Sequence, residues 1–151
     1  MMRMARPTEP LYFVDTNVLV YNRDARDPTK REAAERWLRA LWVAHSGRVS
    51  TQVLNEYYAV VTEMHRPGID RDEARADIRS LMSWGPIPVS HVVIQGAWTI
   101  QDRHSLSWWD SLIVSAAQVA GCTYLLTEDL AHDRLFDGVR VVDPFRTPPP
   151  R

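Results

Sequence analysis

Leu11-Tyr12-Phe13-Val14 is an apolar run too short for a helix, and it stops abruptly on Asp15. Tyr, Phe and Val favour strands, so the run reads as a buried strand with a carboxylate just past its end. This constrains the fold strongly, because open α/β sheets place their ligand sites at the carboxyl ends of parallel strands. Three more acids, Glu56, Asp110 and Asp129, interrupt apolar segments in a comparable way. If the four converge, they make a cage of oxygen ligands for a hard divalent cation, Mg2+ or Mn2+.

Along the chain, strand-like and helix-like segments alternate. Asn17 opens a helical turn through Val20 and Tyr21. Thr29, with Glu32 three residues on, reads as the capping box of a helix that Gly47 ends. A minimal strand over 48–51 leads into a helix over 52–65 with the stripe Val53, Tyr57, Val60, Val61 and Met64. Asp70 starts a charged helix with Asp77 on its solvated face, and Trp84-Gly85-Pro86 closes it. Pro88-Val89 reads as a third short strand, followed by helices over 91–104 and 107–120. Strands over 124–127 and 139–142 complete the pattern. The alternation predicts a three-layer α/β/α sandwich around a short parallel sheet. It places one domain over 11–145, between a flexible segment 1–10 and a disordered Pro-rich tail 146–151.

At 151 residues and 45% hydrophobic, the chain can bury a core that is stable without staples. A net charge of -1 excludes a strongly basic nucleic-acid clamp, although a local positive rim survives that average. Cys122 is the single cysteine, so neither an intramolecular disulfide nor a thiolate metal site is available, which fits a reducing cytoplasm. No segment approaches the roughly 18 apolar residues of a membrane span. The start, Met1 to Pro7, lacks the apolar core of a signal peptide.

Each acid also has a plainer reading. Asp15 fits an N-cap, although Thr16 and Asn17 offer the same service. Glu56 lies on the apolar stripe, with no basic residue at helical spacing and Arg48 as a possible distant partner. Ser107-Trp108-Trp109-Asp110 matches a capping box, and the helix dipole that favours an acid there also keeps a metal ligand ionised. Asp129 follows a strand as Asp15 does, among Glu128, Asp133 and Asp137, which suit turns. Crowded acids repel one another, and a cation removes that cost. His65, His91, His104 and His132 show no zinc spacing.

Taken in order, Phe13-Val14-Asp15-Thr16-Asn17, Gln52-Val53-Leu54-Asn55-Glu56, Trp109-Asp110-Ser111-Leu112-Ile113 and Leu125-Leu126-Thr127-Glu128-Asp129-Leu130 resemble the PIN-domain ribonucleases. Among these the chain is most similar to VapC-type toxins of toxin–antitoxin pairs, over residues 11–145. The resemblance implies a Mg2+- or Mn2+-dependent endoribonuclease with Asp15, Glu56, Asp110 and Asp129 as metal-binding, catalytic acids. Thr16, Asn17 and Thr127 would be supporting polar groups. It further implies an RNA substrate, a small antitoxin and a homodimer. Asp133 stands where many relatives have glycine.

Arg23, Arg26 and Arg103 are the basic residues expected to hold RNA backbone near the pocket mouth. Trp37, Trp42, Trp84 and Trp98 read as core or interface, whereas Trp108 or Trp109 stands where a nucleobase could stack. Two other classes compete. A haloacid-dehalogenase-like phosphatase needs a second Asp where Asn17 stands, and a phosphoacceptor receiver domain needs an acidic pair ahead of Asp15 and a late lysine, whereas Lys30 is the only lysine. A non-catalytic, partner-binding PIN domain is the third alternative, and the presence of all four acids argues against decay.

Overall fold

A computed structural model describes residues 9–151. The first eight positions of the expected flexible segment 1–10 lie outside the described residues. Eleven elements follow: β1 (Tyr12–Val14), α1 (Thr16–Tyr21), α2 (Pro28–Ala44), β2 (Gly47–Arg48), α3 (Thr51–Thr62), α4 (Arg71–Leu81), α5 (His91–His104), α6 (Trp108–Val119), β3 (Tyr124–Leu126), β4 (Leu135–Phe136) and β5 (Val139–Val142). A 3-10 turn over Met82–Trp84 ends α4.

The strands form one sheet in the order β2-β1-β3-β5-β4. The first four are parallel, with Val14 opposite Leu126 and Leu126 opposite Val142. β4 departs from the expected all-parallel sheet: it pairs antiparallel with β5 through a tight turn at Asp137 and Gly138, whose φ values are 46° and 96°. Asp-Gly supplies the positive φ that such a hairpin needs. A two-residue strand carries too little periodicity to be read from sequence. Helices cover the sheet, with α6 against β3 and β5 and α2 against β2, as the α/β/α expectation requires.

The chain moves from β1 to β2 in one direction along the sheet and from β3 to β5 in the other. The crevice at the carboxyl ends of β1 and β3 is therefore the topological switch point, where open α/β sheets bind ligands. Phe13, Val14, Leu125 and Leu126 are fully buried beneath it and make its floor rigid.

Local chemistry revises several expected boundaries. The cap of α2 is Asp27, whose side chain accepts from the Lys30 N–H at 3.1 Å, with Pro28 as the first helical residue. Pro needs no partner for its missing N–H there, so the cap falls ahead of Thr29. His45, in the left-handed region, ends that helix, and Gly47 belongs to β2. Its role is contact: a Cβ on Gly47 would stand 2.5 Å from the Trp84 ring. Gly47→Ala is expected to lower stability by about 1–3 kcal/mol, the usual cost of overpacking, read as a fall in the thermal midpoint.

The expected strand at Pro88-Val89 is reduced to a single bridge between Ser50 and Ile87. Asp77 is not on a solvated face. Arg23 donates to it from Nε and Nη2 at 2.9 and 2.6 Å, and the Tyr57 hydroxyl donates to it as well, tying α3, α4 and the loop after α1 together. Trp37 and Trp84 are core, whereas Trp42 and Trp98 are 42% and 52% exposed. The Trp37 indole N–H donates to the Pro144 and Thr147 carbonyls at 3.2 and 2.8 Å, anchoring the start of the Pro-rich tail. Cys122 is buried and its thiol is pushed up to about 12, so it is a packing group rather than a nucleophile. Among the described residues no helix is long and apolar enough to cross a membrane.

Candidate active site

Two strand ends deliver two of the acids. Asp15 follows β1, its N–H donating to the Leu126 carbonyl at 3.1 Å, and Asp129 lies three residues past the end of β3. Thr127 bridges them: its hydroxyl donates to Asp15 Oδ2 at 2.9 Å and accepts from the Asp129 N–H at 3.1 Å. Asn17 Nδ2 adds bonds to Thr127 Oγ1 at 2.9 Å and Asp129 Oδ2 at 3.1 Å. The three polar residues expected as supports are thus the cross-braces of the crevice, because Thr16 Oγ1 donates to Glu56 Oε2 at 2.8 Å.

Glu56 reaches the crevice from α3. Its other oxygen accepts from Gln52 Nε2 at 2.9 Å, one helical turn earlier, and the same amide leans 3.3 Å from the Trp109 carbonyl. Gln52 thereby couples the α3 acid to the first turn of α6, a role that a polar residue inside an apolar pattern signals only weakly. Arg48 does not pair with Glu56; its guanidinium donates to the His45 and Gly47 carbonyls. Asp110 sits in that first turn of α6, its N–H capped by Ser107 Oγ at 3.1 Å. Its charge is close enough to hold the Asp129 carboxyl up. Cap and site acid are the same residue here, and Asp15 likewise caps α1 by accepting from the Thr16 N–H.

Burial governs the electrostatics. Asp15 is 6% exposed, and desolvation pushes its carboxyl up to about 7 against the pull of hydrogen bonds from Thr16 and Thr127, with Asp129 and Glu56 adding repulsion. Asp129 is also raised, first by desolvation and then by Glu128, Asp110 and Glu56. Asp15 and Asp129 are therefore costly to ionise as they stand.

Glu56 and Asp129 line an open crevice, with Asp15 buried and Asp110 outside its lining, rather than the closed cage that the sequence suggests. Among the described residues no three His, Cys, Asp or Glu side chains stand close enough to form a ready-made metal cage. The donor set still fits a hard cation. It is all oxygen, its charges repel, and Mg2+ keeps several waters and needs only one or two direct carboxylates.

A cavity of about 750 Å3 opens beside Glu56 and Asp129. Its wall is mixed, with Val20, Val60 and Met64 as an apolar side and Arg26, Arg66 and Glu128 as a charged rim. Of the three arginines expected at the mouth, only Arg26 lines it, and Asp24 holds that guanidinium at 2.8 and 3.0 Å. Arg23 belongs to the Asp77 network. Arg103 pairs with Asp137 at 3.0 Å, at the turn that begins β5 and therefore at the opposite end of the sheet.

Glu128 and Lys30 enter the site's rim unannounced, joined at 2.7 Å. Trp109 is 64% exposed beside Asp110, whereas Trp108 packs partly against the core. Asp133 has a φ of 67°, the left-handed conformation in which glycine is at ease. Its N–H donates to the Val141 carbonyl, and its side chain is 3.5 Å from His132.

The sequence pattern of the PIN domain matches residues 12–136. No curated protein matches the chain. Among solved structures, a toxin–antitoxin complex from Klebsiella pneumoniae is similar at 19% identity with a TM-score of 0.63, covering 88% of this chain and 97% of that one. VapC20 from Mycobacterium tuberculosis, described as a sarcin–ricin loop cleaving toxin, is similar at 20% identity and TM-score 0.57, covering 76% and 86%. DNA-bound VapBC from Salmonella typhimurium is similar at 15% identity and TM-score 0.63, covering 90% and 99%. At such identities the likeness is one of fold. The family pattern, by contrast, runs from β1 through β4 and takes in all four crevice acids, and on that ground the chain belongs to the PIN-domain family.

Proposed function

We propose that the protein is a divalent-metal-dependent endoribonuclease, the toxin of a toxin–antitoxin pair. The observation that supports this reading is the burial and mutual repulsion at the switch point, where Glu56 and Asp129 act on Asp15, pushed up to about 7, and Asp110 and Glu56 act on Asp129. Asp15, Glu56, Asp110 and Asp129 would hold Mg2+ or Mn2+, which when bound supplies an activated water and charge neutralisation at phosphorus. Thr127 and Asn17 keep Asp15 and Asp129 aimed into the crevice through the bonds described above. Gln52 and Thr16 do the same for Glu56. The open crevice admits a polymer from the side, as cutting within a chain requires.

The family resemblance and the neighbours that are toxin–antitoxin assemblies support a small antitoxin as partner, and the exposed Val92 and Trp98 on α5 suit a homodimer contact. Cytoplasmic residence accords with the single buried thiol. A dehalogenase-like phosphatase gains nothing from the structure, since Asn17 spends its amide on Thr127 and Asp129.

Purified protein is expected to cut structured RNA internally in Mn2+ or Mg2+, to stop on adding EDTA, and to leave small phosphomonoesters intact. Gel analysis of RNA beside a chromogenic phosphate ester reads both. Cutting that persists in EDTA excludes the metal role, and ester hydrolysis without RNA cutting favours the phosphatase.

A further inference from the structure

The charged side chains around the 750 Å3 cavity are nearly all spoken for. Asp24 is paired with Arg26, and Glu128 with Lys30. Glu56 and Asp129 face the crevice. Arg66 lines the same cavity, is exposed, and has no carboxylate partner among the described residues. Its place is set by backbone: the Arg66 N–H donates to the Val60 carbonyl at 3.1 Å and Met64 to Ala59 at 3.0 Å, so the loop after α3 folds back on its own helix. Ile69, bonded to the Val61 carbonyl at 3.0 Å and packed on the core, closes that loop.

An exposed guanidinium without a carboxylate partner keeps its donors open to an anion that enters the cavity. RNA brings one negative charge per nucleotide. A metal at the acids would neutralise only the phosphate being cut, and the next phosphate would meet Glu56 and Asp129 unscreened. Arginine's planar fork matches two phosphate oxygens at once. We propose that Arg66 binds the RNA phosphate flanking the one that is cleaved, with Val60 and Met64 as the apolar wall beside its nucleoside. This rests on the nuclease reading and adds the anchor that sets which bond enters the crevice. Arg26 is already paired with Asp24, and Arg103 lies at the far end of the sheet.

The test uses the full chain and a short synthetic RNA stem-loop cut in Mn2+. Arg66→Gln is expected to raise KM about tenfold or more, the yield of a charge-assisted bond of ~1.5 kcal/mol or better, with kcat within about twofold. Arg66→Lys should recover part of the loss. The slope of log KM against log salt should fall by about 0.7, one single-strand phosphate contact. Replacing the flanking linkage by a neutral methylphosphonate should penalise wild type and leave Arg66→Gln unmoved. If wild type cuts and Arg66→Gln matches it in KM and salt slope, Arg66 binds no phosphate and the nuclease reading stands alone. Unchanged RNA kinetics with weakened binding of an acidic peptide would overturn it in favour of a protein partner. A wild-type chain that cuts no RNA in Mn2+ sinks both readings.

Discussion

Asp15→Asn should abolish RNA cleavage while leaving the fold intact. Asn keeps the shape of the side chain and its bond from the Thr16 N–H, and loses the charge that a cation needs. Residues that merely orient a metal's ligands typically cost 10–100-fold when changed, so loss of a direct ligand should exceed about a hundredfold. Residual rate in Mn2+ is the measurement, with circular dichroism confirming the fold. Expressed alone in a bacterial host, wild type should arrest growth and Asp15→Asn should not. Cutting by Asp15→Asn within tenfold of wild type would reduce Asp15 to a helix cap.

The second large effect is on stability, and it reverses with metal. Wild-type Asp15 has its carboxyl raised from the ordinary 3.8 to about 7. Below about pH 4 it is protonated whether the chain is folded or not, and the site then costs nothing through titration. As pH rises towards 7 the unfolded chain ionises freely while the folded one resists, so the folded state loses stability across that window. Asn does not titrate, although its amide meets a Thr127 oxygen that already accepts from Asn17 and Asp129, a mismatch of about 1 kcal/mol.

Without metal at pH 8, Asp15→Asn should therefore melt above wild type, and the advantage should vanish by about pH 4. Mn2+ at a hundred times its Kd should raise wild type by about 2.7 kcal/mol, roughly 5–10 °C for a chain of this size, and move Asp15→Asn far less. Asp72→Asn, whose side chain is 98% exposed on α4, is the control that keeps the wild-type response. Equal Mn2+ shifts in the Asp15 and Asp72 variants would show that the crevice binds no cation through Asp15.

How far these features were legible in sequence depended on their range. Asp15 and Asp129 could be read because a strand core announces the acid at its end, and Asp110 because Ser107 marks a helix start three residues before it. The pairing of Asp77 with Arg23 leaves no signal in sequence. Helical spacing placed the acid on a polar face, and only the tertiary approach of the loop after α1 brings the guanidinium to it. Arg103 stands near Asp110 in sequence, yet it ends α5 beside Asp137, at the turn that begins β5. Arg66 left no trace, because a loop has no periodicity from which a direction can be inferred. Gly47 reads in sequence as a helix stop, whereas in the fold the Trp84 ring lies where its side chain would be.

The hydrogen bond from Thr127 to Asp15 spans 112 positions of the chain. The proposed ribonuclease would itself be assembled on RNA, with its producer exposed while synthesis lasts. The acids come from four separate segments and Asp129 is the last of them, so no product that stops ahead of it carries the complete set. On the proposed reading, a message broken ahead of β3 would yield a fragment that lacks both Asp129 and the Thr127 brace.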